Sequence, residues 1–204
     1  MSASAKREVF LQAYLMVQTK RNQLDLDNLS DGVAPGLSPD MGGVFAEAAA
    51  VCLEENDHVQ GVTLSISGAK EASVELKWSP TTRQTKNTHF DLQDATEDGA
   101  CGVAIALLRH LDDKLVIRKS WKGKGLDRGH DYWLGNVEDN ELPPFQKDTR
   151  LEVSGILNGS DKDLRRRLRE KHRQVQSSSS TLPGLAVVVM FSHPEAGVKR
   201  YDSN

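Results

Sequence analysis

The segment Asp91 to Leu111 constrains this chain most, because only a helix accounts for its spacing. Leu92, Ala95, Val103, Ala104, Leu107, Leu108 and Leu111 recur near i, i+3 and i+4, which gathers them into one apolar stripe. Asp94, Glu97 and Asp98 fall in the first turns, where the positive end of the helix dipole favours acids. A striped helix needs a surface to cover, and the residues after it supply strands. Leu115 to Trp121 reads as a strand, followed by a bend rich in glycine (Gly123, Gly125, Gly129) and a short strand from His130 to Leu134. Thr149 to Leu157 is a third strand, Asp161 to Gln176 a helix, and Leu185 to Phe191 a fourth strand after the break Ser177 to Ser180. The order helix, strand, strand, strand, helix, strand predicts an α/β fold with a mixed central sheet flanked by helices.

The first ninety residues read as an N-terminal elaboration of a core spanning 91–204. After a short tail, Val9 to Val17 is apolar enough for a strand or a helix, and the pattern does not choose between them. Asn22 to Gly43 is rich in Asp, Asn, Gly, Pro and Ser and is expected to be a long loop. Val44 to Leu53 is helical. Gly61 to Ser67 and Ser73 to Trp78 alternate apolar with polar residues and are joined by a short polar turn, so a hairpin is expected. Ser79 to Asn87 breaks the pattern.

With 38% hydrophobic and 27% charged residues, the chain can bury a core and is not expected to be disordered. A net charge of -3 argues against a general polyanion binder, but the charge is unevenly spread. The helix from Asp161 to Gln176 holds seven basic residues (Lys162, Arg165, Arg166, Arg167, Arg169, Lys171, Arg173) against Asp161, Asp163 and Glu170. That is +4, leaving -7 for the rest. Leu164, Leu168 and Val175 form its narrow apolar seam, and the wide basic remainder suits phosphate contacts or a solvated exterior. Cys52 and Cys101 are isolated in apolar runs and read as buried thiols. No apolar run is long enough for a membrane span and the N-terminus lacks a signal-like segment, so a cytoplasmic location is expected.

Chemistry concentrates on two middle strands. Asp131 opens one and Glu152 lies in the next, where alternation turns Leu151 and Val153 to one side and Glu152 and Ser154 to the other. Two carboxylates on adjacent strands can share a hard divalent cation, Mg²⁺ or Mn²⁺, which takes one or two protein carboxylates and keeps several waters. Such an ion neutralises a phosphodiester and lowers the pKa of bound water.

The element order, with Asp131 on the second strand and Glu152 on the third, resembles the core of the PD-(D/E)XK nucleases, the restriction-endonuclease-like superfamily, over roughly Asp91 to Phe191. The resemblance implies an αβββαβ core with an N-terminal αββ elaboration. It makes Asp131 and Glu152 metal ligands and Glu97, expected on the apolar stripe, an auxiliary ligand or water-orienting group. The DYWLG and LEVSG stretches also resemble bacterial proteins of no assigned function. The family places lysine two residues after the glutamate; Ser154 stands there. A hydroxyl cannot supply that positive charge. Lys119, Lys122 and Lys124 are the nearby substitutes, or the centre is impaired.

Other motifs carry less. Lys122-Gly123-Lys124-Gly125 lacks the spacing of a phosphate loop, which leaves a phosphotransferase without support. Glu75-Leu76-Lys77 has the right residue types without an acidic partner strand. His130 points away from Asp131's face, the other histidines lack ligand spacing, and Trp78, Trp121 and Trp133 suit the core. Two functions remain. One is a metal-dependent, nuclease-like hydrolase acting on DNA or RNA, with nucleic acid held by Arg165, Arg166, Arg169 and Arg173. The other is a non-catalytic nucleic-acid-binding or protein-interaction module on the same fold, a reading that admits a homo-oligomer or a protein partner.

Overall fold

The computed structural model describes residues 23–32, 36–68, 72–112, 114–120, 131–136, 148–177 and 182–202. Val9 to Val17 lies outside them. The elements are β1 (Gln23–Asp25), a 3-10 helix (Leu26–Asp31), α1 (Pro39–Glu54), β2 (Thr63–Ser67), β3 (Ala72–Lys77), α2 (Arg83–Thr88) and α3 (Leu92–Leu111). They continue as β4 (Leu115–Ser120), β5 (Tyr132–Asn136), β6 (Thr149–Ile156), α4 (Asp161–Ser177), β7 (Gly184–Met190) and β8 (Glu195–Tyr201). The chain is mixed α/β: one sheet of eight strands, in the order β1-β3-β2-β8-β7-β6-β5-β4, with helices against it.

The order from α3 to β7 is the expected helix, strand, strand, strand, helix, strand, and β2 and β3 pair antiparallel as a hairpin. Two expectations are corrected, and one strand is added. The stretch Asn22 to Gly43 is not one long loop. It contains β1 and the 3-10 helix, and α1 begins at Pro39 rather than Val44. Ser38 explains that start, since its side chain accepts from the Met41 N–H and Pro39 occupies a first-turn position that needs no donor. Polar Ser79 to Asn87 holds all but the last residue of α2, which Thr82 caps. Lastly, Glu195 to Tyr201 forms β8, a strand that the charged residues Glu195, Lys199 and Arg200 disguise. It runs antiparallel to β7 and parallel to β2, so both parts of the sequence contribute strands to one sheet.

Small residues bring α1 and α3 into close contact. A Cβ added at Gly102 would meet Phe45 O at 2.8 Å, and one at Gly99 would meet Ala49 Cα at 2.9 Å. This helix pair covers one face of the sheet, burying Leu64, Leu76, Leu151, Val153, Val187 and Val198 in the main core. On the other face, α4 lies over β6, β7 and β8, with Leu164 against Val188 and Met190 and with Leu168 and Ile156 packed at the edge. Strand β7, GLAVVVM, is buried throughout because both its faces are covered. Among the described residues no helix is long and apolar enough to cross a membrane.

Candidate functional site

Strand β6 has two different faces. Leu151 and Val153 turn toward the main core, as the alternation predicts. The intervening positions Asp148, Arg150 and Glu152 are 2%, 1% and 4% exposed, a buried row of alternating charge on the side covered by α4. Buried charges persist only when paired. Arg150 Nη2 donates to Leu182 O at 2.8 Å, and its burial lowers the guanidinium pKa. Glu152 Oε1 accepts from Lys171 Nζ of α4 at 2.5 Å. Strand β7 leaves room for both: Gly184 and Ala186 are the register partners of Arg150 and Glu152, whereas the larger Val188 and Met190 lie under the apolar seam.

Asp131 sits at the bend that enters β5. Its N–H donates to Leu151 O at 2.7 Å and its Oδ2 accepts from the Val153 N–H at 2.8 Å. The carboxylate therefore stands in for a backbone acceptor at the end of the β5–β6 ladder. Tyr132 pairs with Leu151 and Trp133 with Arg150. Asp131 precedes these paired residues as a bend, with its carboxylate on the β6 backbone next to Glu152. Their charges act on each other. Burial, then the Asp131 carboxylate, raise the Glu152 pKa, Lys171 pulls it back, and the balance lies at about 7.

Lys171 was not among the expected site residues. Its place on a basic helix predicts a solvated side chain, yet that side chain is 19% exposed and points at the sheet. The signal was present in the spacing. Leu164, Leu168, Lys171 and Val175 continue one i, i+4, i+7 seam, in which Lys171 is the single charged member. Arg165, Arg169 and Arg173, with Lys162, are exposed on the side of α4 turned away from Glu152. Arg166 is exposed too, but pairs with Glu170 at 3.1 Å and Asp163 at 3.5 Å.

Other expected participants are not brought to Asp131 and Glu152. Glu97 is exposed, not on the apolar stripe, because its neighbours Thr96 and Ala100 take the inward positions of α3. That helix packs on the Leu151 and Val153 side of β6, away from Glu152. Lys122, Lys124, Trp121 and His130 lie outside the described residues, and Lys119 is described only as a backbone pairing with Trp133. Ser154 shares the Glu152 face and is partly exposed. Cys52 is buried and donates to Thr96 Oγ1 at 3.8 Å, and burial pushes its thiol up to about 12; Cys101, expected to be buried, is partly exposed.

Among the described residues no group of three or more His, Cys, Asp or Glu converges as a metal cluster. The arrangement instead offers two carboxylates, one titrating near neutrality, and one ammonium. That set can bind a hard cation through few protein ligands, move a proton, or place a positive charge beside an anion. Comparison with protein-family models, curated proteins and solved structures finds no match for this chain.

Proposed function

We propose that this protein is a metal-dependent, nuclease-like hydrolase of phosphodiester bonds, centred on Asp131, Glu152 and Lys171. The observation that carries this reading is the Lys171 ammonium, 2.5 Å from Glu152 Oε1. It supplies, from α4, the positive charge that Ser154 cannot supply from β6. Asp131 Oδ2 is engaged by Val153 and Glu152 Oε1 by Lys171; among the described residues the second oxygen of each carboxylate has no hydrogen-bond partner. Two hard oxygen donors of this kind fit Mg²⁺ or Mn²⁺. When bound, such an ion supplies charge neutralisation and an acidified water. Asp131 and Glu152 would hold it, and Glu152 can exchange a proton near neutral pH. Lys171 would present positive charge to the reacting phosphate.

Nucleic acid is the proposed substrate, anchored by Lys162, Arg165, Arg169 and Arg173, with Arg166 at their side. Because this face of α4 points away from Glu152, it would grip a flanking stretch of backbone, not the phosphate being cut. A reducing, cytoplasmic setting goes with this reading, in which Cys52 and Cys101 are free thiols.

Mn²⁺-dependent cleavage of single- and double-stranded DNA and RNA tests the proposal. Asp131→Asn and Glu152→Gln are each expected to reduce the rate by about 100-fold or more while thermal unfolding stays cooperative. Unchanged rates in both variants would move the chemistry elsewhere. One observation favours a second reading: Asp131 caps a strand and Glu152 fastens α4, so both acids already have structural work. A non-catalytic nucleic-acid-binding module on this scaffold would give no Mn²⁺ heat in calorimetry and would capture oligonucleotides with Asp131→Asn as well as without it.

A further inference from the structure

The metal-site reading above leaves a competitor in place: Glu152 already has a cation. Lys171 Nζ contacts Glu152 Oε1 directly, with the two side chains 19% and 5% exposed. On α4 this lysine interrupts a seam otherwise made of Leu164, Leu168 and Val175, and it meets Glu152 beside the small Ala186 of β7. A leucine there would continue the apolar packing, so the charge needs a reason. The Asp131 and Glu152 carboxylates repel, and a positive group between α4 and the sheet relieves that repulsion.

We propose that Lys171 is the built-in counter-cation of the Asp131–Glu152 pair, and that displacing it sets the threshold and charge selectivity for divalent-ion binding. This inference rests on the metal-site reading and adds a rule to it. A divalent ion accepted by both carboxylates repels the ammonium and weakens its hold on Glu152. The lysine stem is flexible, and its partial exposure gives the head group a way out past α4. A monovalent ion brings no more charge than the lysine it would replace, so it cannot take the place. Release is reciprocal: whatever holds the freed ammonium, such as a substrate phosphate, tightens the divalent ion by the same factor.

The test uses amine acetylation of the wild-type protein, with site-resolved mass spectrometry across a Mn²⁺ titration. Lys162, exposed on the same helix, is the internal reference. Acetylation of Lys171 is expected to rise several-fold with Mn²⁺ while Lys162 stays constant. In parallel calorimetry at alkaline pH, Lys171→Met is expected to bind Mn²⁺ about tenfold or more tighter than wild type, since no charged hydrogen bond must first be broken. Mn²⁺ binding that disappears in Asp131→Asn while Lys171 labelling stays flat would overturn the counter-cation and leave the metal site standing. No Mn²⁺ heat in either wild type or Lys171→Met, up to millimolar ion, would overturn both. Should Lys171→Met fail to fold, the wild-type labelling decides alone.

Discussion

The sheet treats charge in opposite ways at its two ends. In β1, β2 and β3 the inward residues Leu24, Leu64, Ile66, Val74 and Leu76 are buried, while Gln23, Thr63, Ser65, Ser73 and Glu75 are exposed on a face that no described helix covers. There, Glu75 accepts from Gln23 Nε2 at 3.2 Å in full view of solvent, an arrangement worth little. In β6, beneath α4, the same type of residue at an alternating position is almost wholly buried and tied to Lys171. The lesson is that a strand acid means nothing until its cover is known. Solvated, it is decoration; covered, it forces a partner into the packing, and that partner is what makes a centre.

The comparison can be broken or sharpened by measurement, the largest effect first. Removing the cover should matter most. Leu164→Ala, which empties the seam between α4 and β7, is expected to cost about 2–5 kcal/mol in urea unfolding, against about 0.5 kcal/mol or less for Ser65→Ala on the open face. Equal losses would mean that α4 is not a structural layer. Next comes pH. The folded state holds the Glu152 proton more tightly than the unfolded chain, whose carboxyl titrates near 4.5. The stabilisation this gives is complete below about 4.5 and lost as pH rises through about 7, on the order of 3 kcal/mol in all. Glu152→Gln should flatten that stretch of the stability–pH curve, and a curve of unchanged slope would deny the burial of charge.

A smaller effect is expected where the N-terminal half does enclose a carboxylate. Glu54, at the end of α1, accepts from Trp78 Nε1 at 3.4 Å, from Thr81 N at 2.9 Å and from Thr81 Oγ1, and pairs with Lys86 at 3.7 Å. It fastens the segment between β3 and α3. Glu54→Ala should cost about 1–3 kcal/mol and speed hydrogen exchange at Thr81 and along α2, leaving β6 protected. Exchange rising equally in β6 would deny that the effect is local. Last, Glu75→Ala should move stability by no more than about 0.5 kcal/mol; a greater loss would mean that the open face is covered in solution.

Periodicity made most of the architecture legible. The stripe on α3, the alternation in β2, β3 and β6, and the apolar run of β7 each report which side is covered, which is why those elements were readable. Strand β8 was not, because its Glu195, Lys199 and Arg200 obey the pairing of β7 and β2 and not a local pattern. Asp131 and Glu152 could be paired from strand order alone. Lys171 could not, since deciding whether a lysine on a basic helix faces water or sheet requires knowing where the helix docks. The same reasoning misplaced Glu97, whose position relative to the stripe was judged from spacing alone and was off by one neighbour.

Strand β8 has a consequence for how the molecule forms. Ser67 Oγ reaches Glu195 Oε1 at 2.7 Å across 128 residues of chain, and the parallel β2–β8 ladder joins strands equally distant in sequence, Ser65 with Glu195 and Ser67 with Gly197. A contact of such sequence separation closes a large loop, and its entropy must be spent before any ladder bond rewards it. Joining the two half-sheets should therefore be the slow event of folding. Until it happens, β2 and β8 each carry a bare edge, the moment at which two chains could pair with each other instead of with themselves.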